Sequence, residues 1–274
     1  MAELQSIVHP TDFSEASMAA FFHALRIAVA AKASLTLLHV IAADEAREWS
    51  AFPHVRATLA DWGLMKENEP TSAIAAKLGV TVKKVALAPH TTSQAVMAFL
   101  ESHPADLIVL ATEGRQGIAR WMHDSVAEKL ARTTKIPALF VPEKAKGFVD
   151  PDRGELHLRR VLVPVDREPN AQRTLGTLAE LYGALGGIKP EQRLVHIGAK
   201  PPHLELPSRP GHAAPIAVRH GDVVDGIVKA ATEWPPDLIA MATAGHDGFL
   251  DMLRGSTTER VLRQAPCPLL AVPA

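Results

Sequence analysis

Cysteine, tyrosine and long apolar stretches are nearly missing from this chain. A single cysteine, Cys267, excludes an intrachain disulfide and any zinc cluster built on cysteines. It fits a reducing compartment. No apolar run approaches the ~18 residues that would cross a bilayer. The amino-terminal stretch MAELQSIVHPTD has no basic segment ahead of an apolar one, so no secretory leader is expected. The expectation is a cytoplasmic protein without a membrane partner. An excess of either charge is lacking too: Lys and Arg number 29, Asp and Glu 30. Up to Phe148 the counts are 15 and 15, and beyond it 14 and 15. Neither part has the basic surplus that phosphate-backbone binding needs, so nucleic acid is not an expected partner. Aromatics are only 5%, yet hydrophobic residues reach 47% of 274. That is ordinary globular composition, and the length suits one large domain or two small ones.

What is present is a duplication. Ile7-Val8-His9-Pro10-Thr11-Asp12 returns as Val161-Leu162-Val163-Pro164-Val165-Asp166, 154 residues on. Leu38-His39-Val40 returns as Val195-His196-Ile197 at an offset of 157. The stretch from Asp106 to Gly114 matches Asp237 to Gly245 at 131, an offset that then holds through Ser125/Ser256, Glu128/Glu259 and Pro142/Pro273. Blocks in the same order, the last long and gapless, define a tandem repeat. The expected domains are 1–142 and 159–274, joined by a linker at 143–158 containing Gly147, Pro151 and Gly154. The drop in offset places 26 extra residues in the middle of the first copy. There, 48–79 carries helix-like apolar spacing at Ala57, Leu59, Ala60 and Leu64. The second copy has a Pro-rich stretch at 201–215 that reads as an irregular loop.

Within the first copy SIVHP, SLTLLHV, KKVALAP, DLIVLAT and ALFVP have strand character. Helix patterns lie at 14–31, 71–78, 93–102 and 125–133. Met18, Phe21, Phe22, Leu25 and Val29 recur at three and four and mark one apolar helix face. Nearly continuous apolar strands alternating with helices predict an α/β class with a buried parallel sheet, twice over. A site is expected beyond the carboxyl ends of the strands, where strand order reverses.

The fourth strand of each copy enters a loop of small residues. The first runs Ala111-Thr-Glu-Gly114-Arg-Gln-Gly117 and continues to Asp124-Ser125-Val-Ala-Glu128. The second runs Ala242-Thr-Ala-Gly245-His-Asp-Gly248 and continues to Gly255-Ser256-Thr-Thr-Glu259. Glycine permits close backbone approach, and a helix start offers free N–H groups, so the pair suits an anion. Ser125-x-x-Glu128 and Ser256-x-x-Glu259 equally fit capping boxes, which need no ligand. The two roles are compatible.

Together, Pro-Thr-Asp-Phe-Ser, Leu-His-Val, Asp-Leu-Ile-Val and the Gly-x9-Gly-Ser type of loop resemble the universal stress protein family across both copies. The resemblance implies two doubly wound domains, each with a five-stranded parallel sheet of the adenine-nucleotide alpha-hydrolase type. It also implies pairing of the last strands, 138–141 and 269–272, as an intrachain pseudo-dimer, and leaves room for a homodimer. In nucleotide-binding members ATP lies on Gly-x2-Gly-x9-Gly-Ser/Thr, with the Asp after strand one at the adenosine end. Carried over, the second copy offers Pro164, Val165, Asp166, Ile197, Met241, Ala242, Gly245, Gly255, Ser256, Thr257 and Thr258. The corresponding first-copy set is Pro10, Thr11, Asp12, Val40, Gly114, Asp124 and Ser125, where Asp124 replaces a glycine and adds a like charge beside the phosphate position. ATP or another adenine nucleotide, with or without Mg, is therefore expected chiefly on the second copy.

Thirteen histidines raise the question of metal. His9, His39, His123 and Asp124 form a candidate first-copy set, set against plain hydrogen-bonded histidines. The second copy has Val163 and Arg254 at two of these places. His246-Asp247, Arg115 and Arg120 read as loop polar groups or anion contacts. Trp49 and Trp62 read as packing or pocket cover. No Gly-x-Ser-x-Gly elbow or Gly-x4-Gly-Lys-Ser/Thr loop occurs. A phosphate loop without lysine argues against efficient phosphoryl transfer. The expected protein is a stress-response regulator with at most slow ATP hydrolysis; the alternative is a nucleotide-independent interaction protein.

Overall fold

A computed structural model describes residues 4–41, 49–87, 92–112, 136–143, 145–207, 214–243 and 257–274. The strands of the first copy are β1 (Ser6–Pro10), β2 (Ser34–Val40), β3 (Thr81–Leu87), β4 (Leu107–Thr112) and β5 (Ala138–Pro142). Those of the second are β6 (Arg160–Pro164), β7 (Glu191–Ile197), β8 (Ile216–Arg219), β9 (Leu238–Thr243) and β10 (Leu269–Pro273). They form one sheet in the order β3-β2-β1-β4-β5-β10-β9-β6-β7-β8. Each five-stranded half is parallel, and the halves meet at an antiparallel β5–β10 pair. The ladder there joins Leu139 to Leu270, Phe140 to Leu269 and Ala138 to Ala271. At the repeat offset of 131, Leu139 and Leu270 are equivalent positions, so a pseudo-two-fold axis passes through that pair.

The described helices are α1 (Glu15–Ala31), α2 (Val55–Asp61), α3 (Ser72–Leu78), α4 (Thr92–Ser102), α5 (Gln172–Ala184), α6 (Val223–Glu233) and α7 (Thr257–Leu262), with a 3-10 turn at Trp49–Ala51. None is long and apolar enough to cross a membrane. The helix pattern at 125–133 lies outside the described residues. Strand side chains alternate between two apolar layers. Ile7, Leu107 and Val109 join the layer under α1 and α5, while Val8, Ile108 and Leu110 join the layer under α4 and α6. Both layers continue from one half of the chain into the other.

Helix α1 starts at Ser14, whose hydroxyl accepts the Ser17 N–H. It buries Ala20, Ala24 and Ala28 beside Phe21 and Leu25. The closest approach to the sheet is thus a stripe of small residues. Met18, Phe22 and Val29, which the apolar spacing assigns to the same face, lie half-buried on its shoulder. Helix α5 repeats this at the offset of 154, burying Thr174, Leu175, Leu178 and Leu181 where α1 has Ala20, Phe21, Ala24 and Ile27.

The segment between the copies is anchored along its length. Val149 and Leu156 form an antiparallel bridge, and Phe148, Val149 and Leu158 are buried. His23 of α1 accepts the Phe148 N–H at Nε2 (3.0 Å) while its Nδ1 lies 2.7 Å from the Ala19 carbonyl. Arg26 donates from Nε to the Gly154 carbonyl, and Trp62, just past α2, donates from Nε1 to the Pro151 carbonyl. A Cβ at Gly147 would run into the His23 ring, and one at Gly154, where φ is +63°, into Trp62. The extra first-copy segment therefore packs on the connection. In the Pro-rich stretch of the second copy Leu204 is buried and its carbonyl accepts the Ala214 N–H at 2.7 Å. Gln172 bonds reciprocally with the Glu205 backbone, pinning the stretch to the start of α5.

Candidate functional site

Strand β1 lies between β2 and β4, and β6 between β7 and β9, so each copy reverses strand order at its first strand. The ladders are unequal on the two sides. β1 pairs with β2 over five positions but with β4 only at Ile7–Leu107 and Val8–Ile108. β6 pairs with β7 over five positions and with β9 only at Val161–Leu238 and Leu162–Ile239. The strands part toward their carboxyl ends, which opens a crevice at each switch point.

In the first copy, side chains fill the parting. His9 is fully buried, and its Nδ1 lies 2.9 Å from the Val109 carbonyl just beyond the last ladder pair. A carbonyl only accepts, so Nδ1 carries the proton and Nε2 the lone pair. Nε2 faces the Ser17 hydroxyl at 3.4 Å, and Ser17 is hydrogen-bonded to Thr11 at 2.8 Å. Burial lowers the His9 pKa from 6.5 to about 4, against the opposing Val109 bond and the Asp12 charge, so the ring is neutral at pH 7. Asp12 is committed to the helix start. Its Oδ1 accepts both the N–H (3.1 Å) and the hydroxyl (2.6 Å) of the capping residue Ser14. His39 holds the Thr11 carbonyl at 2.8 Å and stacks on Phe13, whose ring meets Phe52 edge-on. Pro10 is buried and Val40 half-buried at the ends of their strands.

The second copy keeps one element of this and drops others. His196 Nδ1 lies 3.1 Å from the Val165 carbonyl, as His39 does from Thr11. Val163, in the place of His9, brings no polar group. Asp166 is not part of the α5 cap; its Oδ1 accepts the Arg167 N–H at 2.7 Å and lies 3.8 Å from His196 Nδ1, with the carboxylate half exposed. Pro164, Val165 and Ile197 are buried at this end. Met241 is buried toward α6, while Ala242 turns to the opposite face, where it packs against the α5 layer. Thr257 opens α7 half-buried, but Thr258 is buried at 3% exposure and points into the protein. Gly226 of α6 sits where a Cβ would press on Ile197, so that helix closes tightly over the end of β7.

Gly114, His123, Asp124, Ser125, Gly245, Gly255 and Ser256 lie outside the described residues, as do Arg115, Arg120, His246 and Asp247. Among the described residues, no group of three or more His, Cys, Asp or Glu is disposed to hold a metal ion. His9 and His39 each commit Nδ1 to a carbonyl. Cys267 is buried and its thiol pKa is pushed up to about 12, chiefly by desolvation, which makes it an inert core residue.

A pair of carboxylates has no counterpart among the residues singled out from the sequence. Asp106 Oδ2 accepts the Gln5 and Ser6 N–H groups at 2.9 Å each, and Asp237 Oδ2 accepts those of Arg159 and Arg160 at 2.7 and 2.9 Å. Each ties the start of the first strand to the start of the fourth, opposite the crevice. Their equivalence in the repeat was the available signal.

The universal stress protein family model matches residues 3–142 and 188–273. The chain belongs to that family. A universal stress protein of Methanocaldococcus jannaschii is 29% identical over 150 residues, covering 52% of this chain and 84% of its own. One of Mycobacterium bovis is 24% identical over 274 residues, covering 86% of each chain. Among solved structures, a universal stress protein from Archaeoglobus fulgidus superposes with a TM-score of 0.59 at 17% identity, over 99% of both chains. That likeness is one of fold and runs the length of both chains.

Proposed function

We propose that this universal stress protein is a regulatory protein that binds ATP or another adenine nucleotide in its second copy and does not catalyse efficiently. The reading rests above all on the loop difference between the copies, Gly255 standing in the second where the first has Asp124. Both aspartates are exposed at the ends of their strands, Asp12 with Oδ1 bound by the capping Ser14 and Asp166 with Oδ1 on the Arg167 N–H and beside His196. An exposed carboxylate beside Pro164, Val165 and Ile197 is suited to accepting hydrogen bonds from a nucleoside, with the apolar groups packing on its rings. Gly245, Gly255 and Ser256, in sequence terms, supply the phosphate end, where Asp124 of the first copy would add repulsion. Mg would accompany the phosphates rather than any protein cluster.

The test uses the intact chain. Titration calorimetry with ATP, ADP and AMP is expected to give one site per chain. Asp166→Ala is expected to weaken binding at least tenfold and Gly255→Asp to remove it, with Asp12→Ala unchanged. Two equal sites, or loss in Asp12→Ala alone, would overturn the assignment. Turnover should stay slow and fall with the same substitutions.

A further inference from the structure

The pseudo-two-fold axis through Leu139 and Leu270 relates two grooves at the interface of the halves, and among the described residues only one of them is filled. On the α1 side, His23 and Arg26 hold the connecting segment, and Phe148 drops into the groove with no exposed surface. The His23 and Phe148 rings meet edge-on with centroids 4.6 Å apart. On the other side, the residues at the repeat offset of 154 from Phe22, His23 and Arg26 are Gly176, Thr177 and Glu180 of α5. They line an open groove of about 430 Å³ whose floor includes Leu107, Ile136 and Leu270. A Cβ at Gly176 would meet nothing within 4 Å, so the space reaches the helix backbone.

The occupant follows from the filled counterpart. There the chain's own peptide buries an aromatic side chain against His23, and Arg26 donates to a backbone carbonyl. Glu180 stands in the place of Arg26 and only accepts. It is exposed and has no ion pair among the described residues. Asp106, also on the lining, has Oδ2 bound to the Gln5 and Ser6 N–H groups, and Arg173 stands two turns before Glu180 on α5. An incoming peptide therefore meets an apolar floor with the Glu180 carboxylate at the α5 edge.

We propose that this groove is a docking site for a peptide segment of a partner protein, one carrying a large apolar residue followed closely by a lysine or arginine. The apolar side chain takes the floor, buried as Phe148 is in the related groove, and the cation faces Glu180. This surface lies at the amino ends of β4 and β5, away from the crevice, so the inference stands apart from nucleotide binding.

The intact protein, immobilised, is screened against displayed random dodecapeptides, and selected peptides are resynthesised for anisotropy titration. Enrichment of an apolar-plus-basic pattern is expected. Gly176→Trp, which fills the groove from within a helix, should abolish binding, and Glu180→Lys should weaken it at least tenfold with unchanged melting temperature. Should Gly176→Trp fail to fold, Thr177→Arg serves the same purpose. No enrichment, an acidic pattern, or binding that survives these substitutions would overturn the proposal, whatever the nucleotide titrations give.

Discussion

At the scale of single residues, two histidines define how this protein responds to acid. Burial brings both His9 and His23 from a pKa of 6.5 to about 4. Each uses both ring nitrogens in its neutral form, and protonation of His23 would turn the acceptor of the Phe148 N–H into a donor. Because the folded-state value lies below the unfolded one, the unfolded chain takes up protons first as pH falls. Stability is therefore full above about pH 6.5 and is lost toward pH 4. The loss is on the order of 2–3 kcal/mol per histidine between pH 7 and 4.5. Urea unfolding at these two pH values checks this. His9→Val, the residue of the second copy, should lose less on acidification than the wild type; an equal loss would show that His9 is not the group responsible. In the sequence His9 stood with His39, His123 and Asp124 as a candidate metal set, with no tight spacing to support it. What the sequence lacked was any sign that Val109 offers a carbonyl where the ladder stops.

Elements were the most legible level. Strands at 6–10, 34–40 and 138–142 follow from β-branched apolar runs ending in Pro or polar residues, and α1 follows from its Ser14 cap. Strand β3 begins two residues earlier than the Lys83-Lys84 start suggests, because Thr81 and Val82 already pair with Ser34 and Leu35. The exposed Lys83 and Lys84 lie on the edge strand, where charge discourages pairing with another chain. The connection at 143–158 has linker composition, yet its glycines serve close approach to His23 and Trp62 rather than freedom. Element starts depend on carboxylates as well. Asp237→Ala leaves two backbone N–H groups at the start of β6 without their acceptor, and the expected cost is about 1–2 kcal/mol. Chemical denaturation of this variant and of Asp106→Ala should give similar losses, since the two positions hold equivalent strand starts; a neutral outcome in both would remove the anchoring role.

On the whole-molecule scale, the two copies are one folding body rather than two domains touching. The sheet is continuous through β5 and β10, and both apolar layers cross the junction. Cutting the chain there would bare a strand edge and a cross-section of core together. A single cooperative thermal transition is expected, with calorimetric and van't Hoff enthalpies in agreement. The isolated piece 1–142 should self-associate through β5, giving a dimer by light scattering; a stable monomer would contradict the shared core. Residues 1–142 and 159–274 remain our proposed domain limits in the sense of ancestry.

The sequence by itself determined the duplication, the α/β class and the carboxyl-end location of the crevices, because each rests on local periodicity or on direct self-comparison, while the family entered through the resemblance of its motifs. It also held the chemical inequality of Asp124 against Gly255. Tertiary structure alone decided that Asp12 holds the capping Ser14 while Asp166 turns to the Arg167 N–H and His196, and that His9 lies on the Val109 carbonyl where β1 and β4 part. It alone decided, too, that one of two related grooves is filled by the chain's own connection. Those outcomes depend on which groups meet across more than a hundred residues of sequence, as His23 meets Phe148 and Arg26 meets Gly154. No local pattern encodes such meetings; they come into being when the sheet closes around its pseudo-two-fold axis.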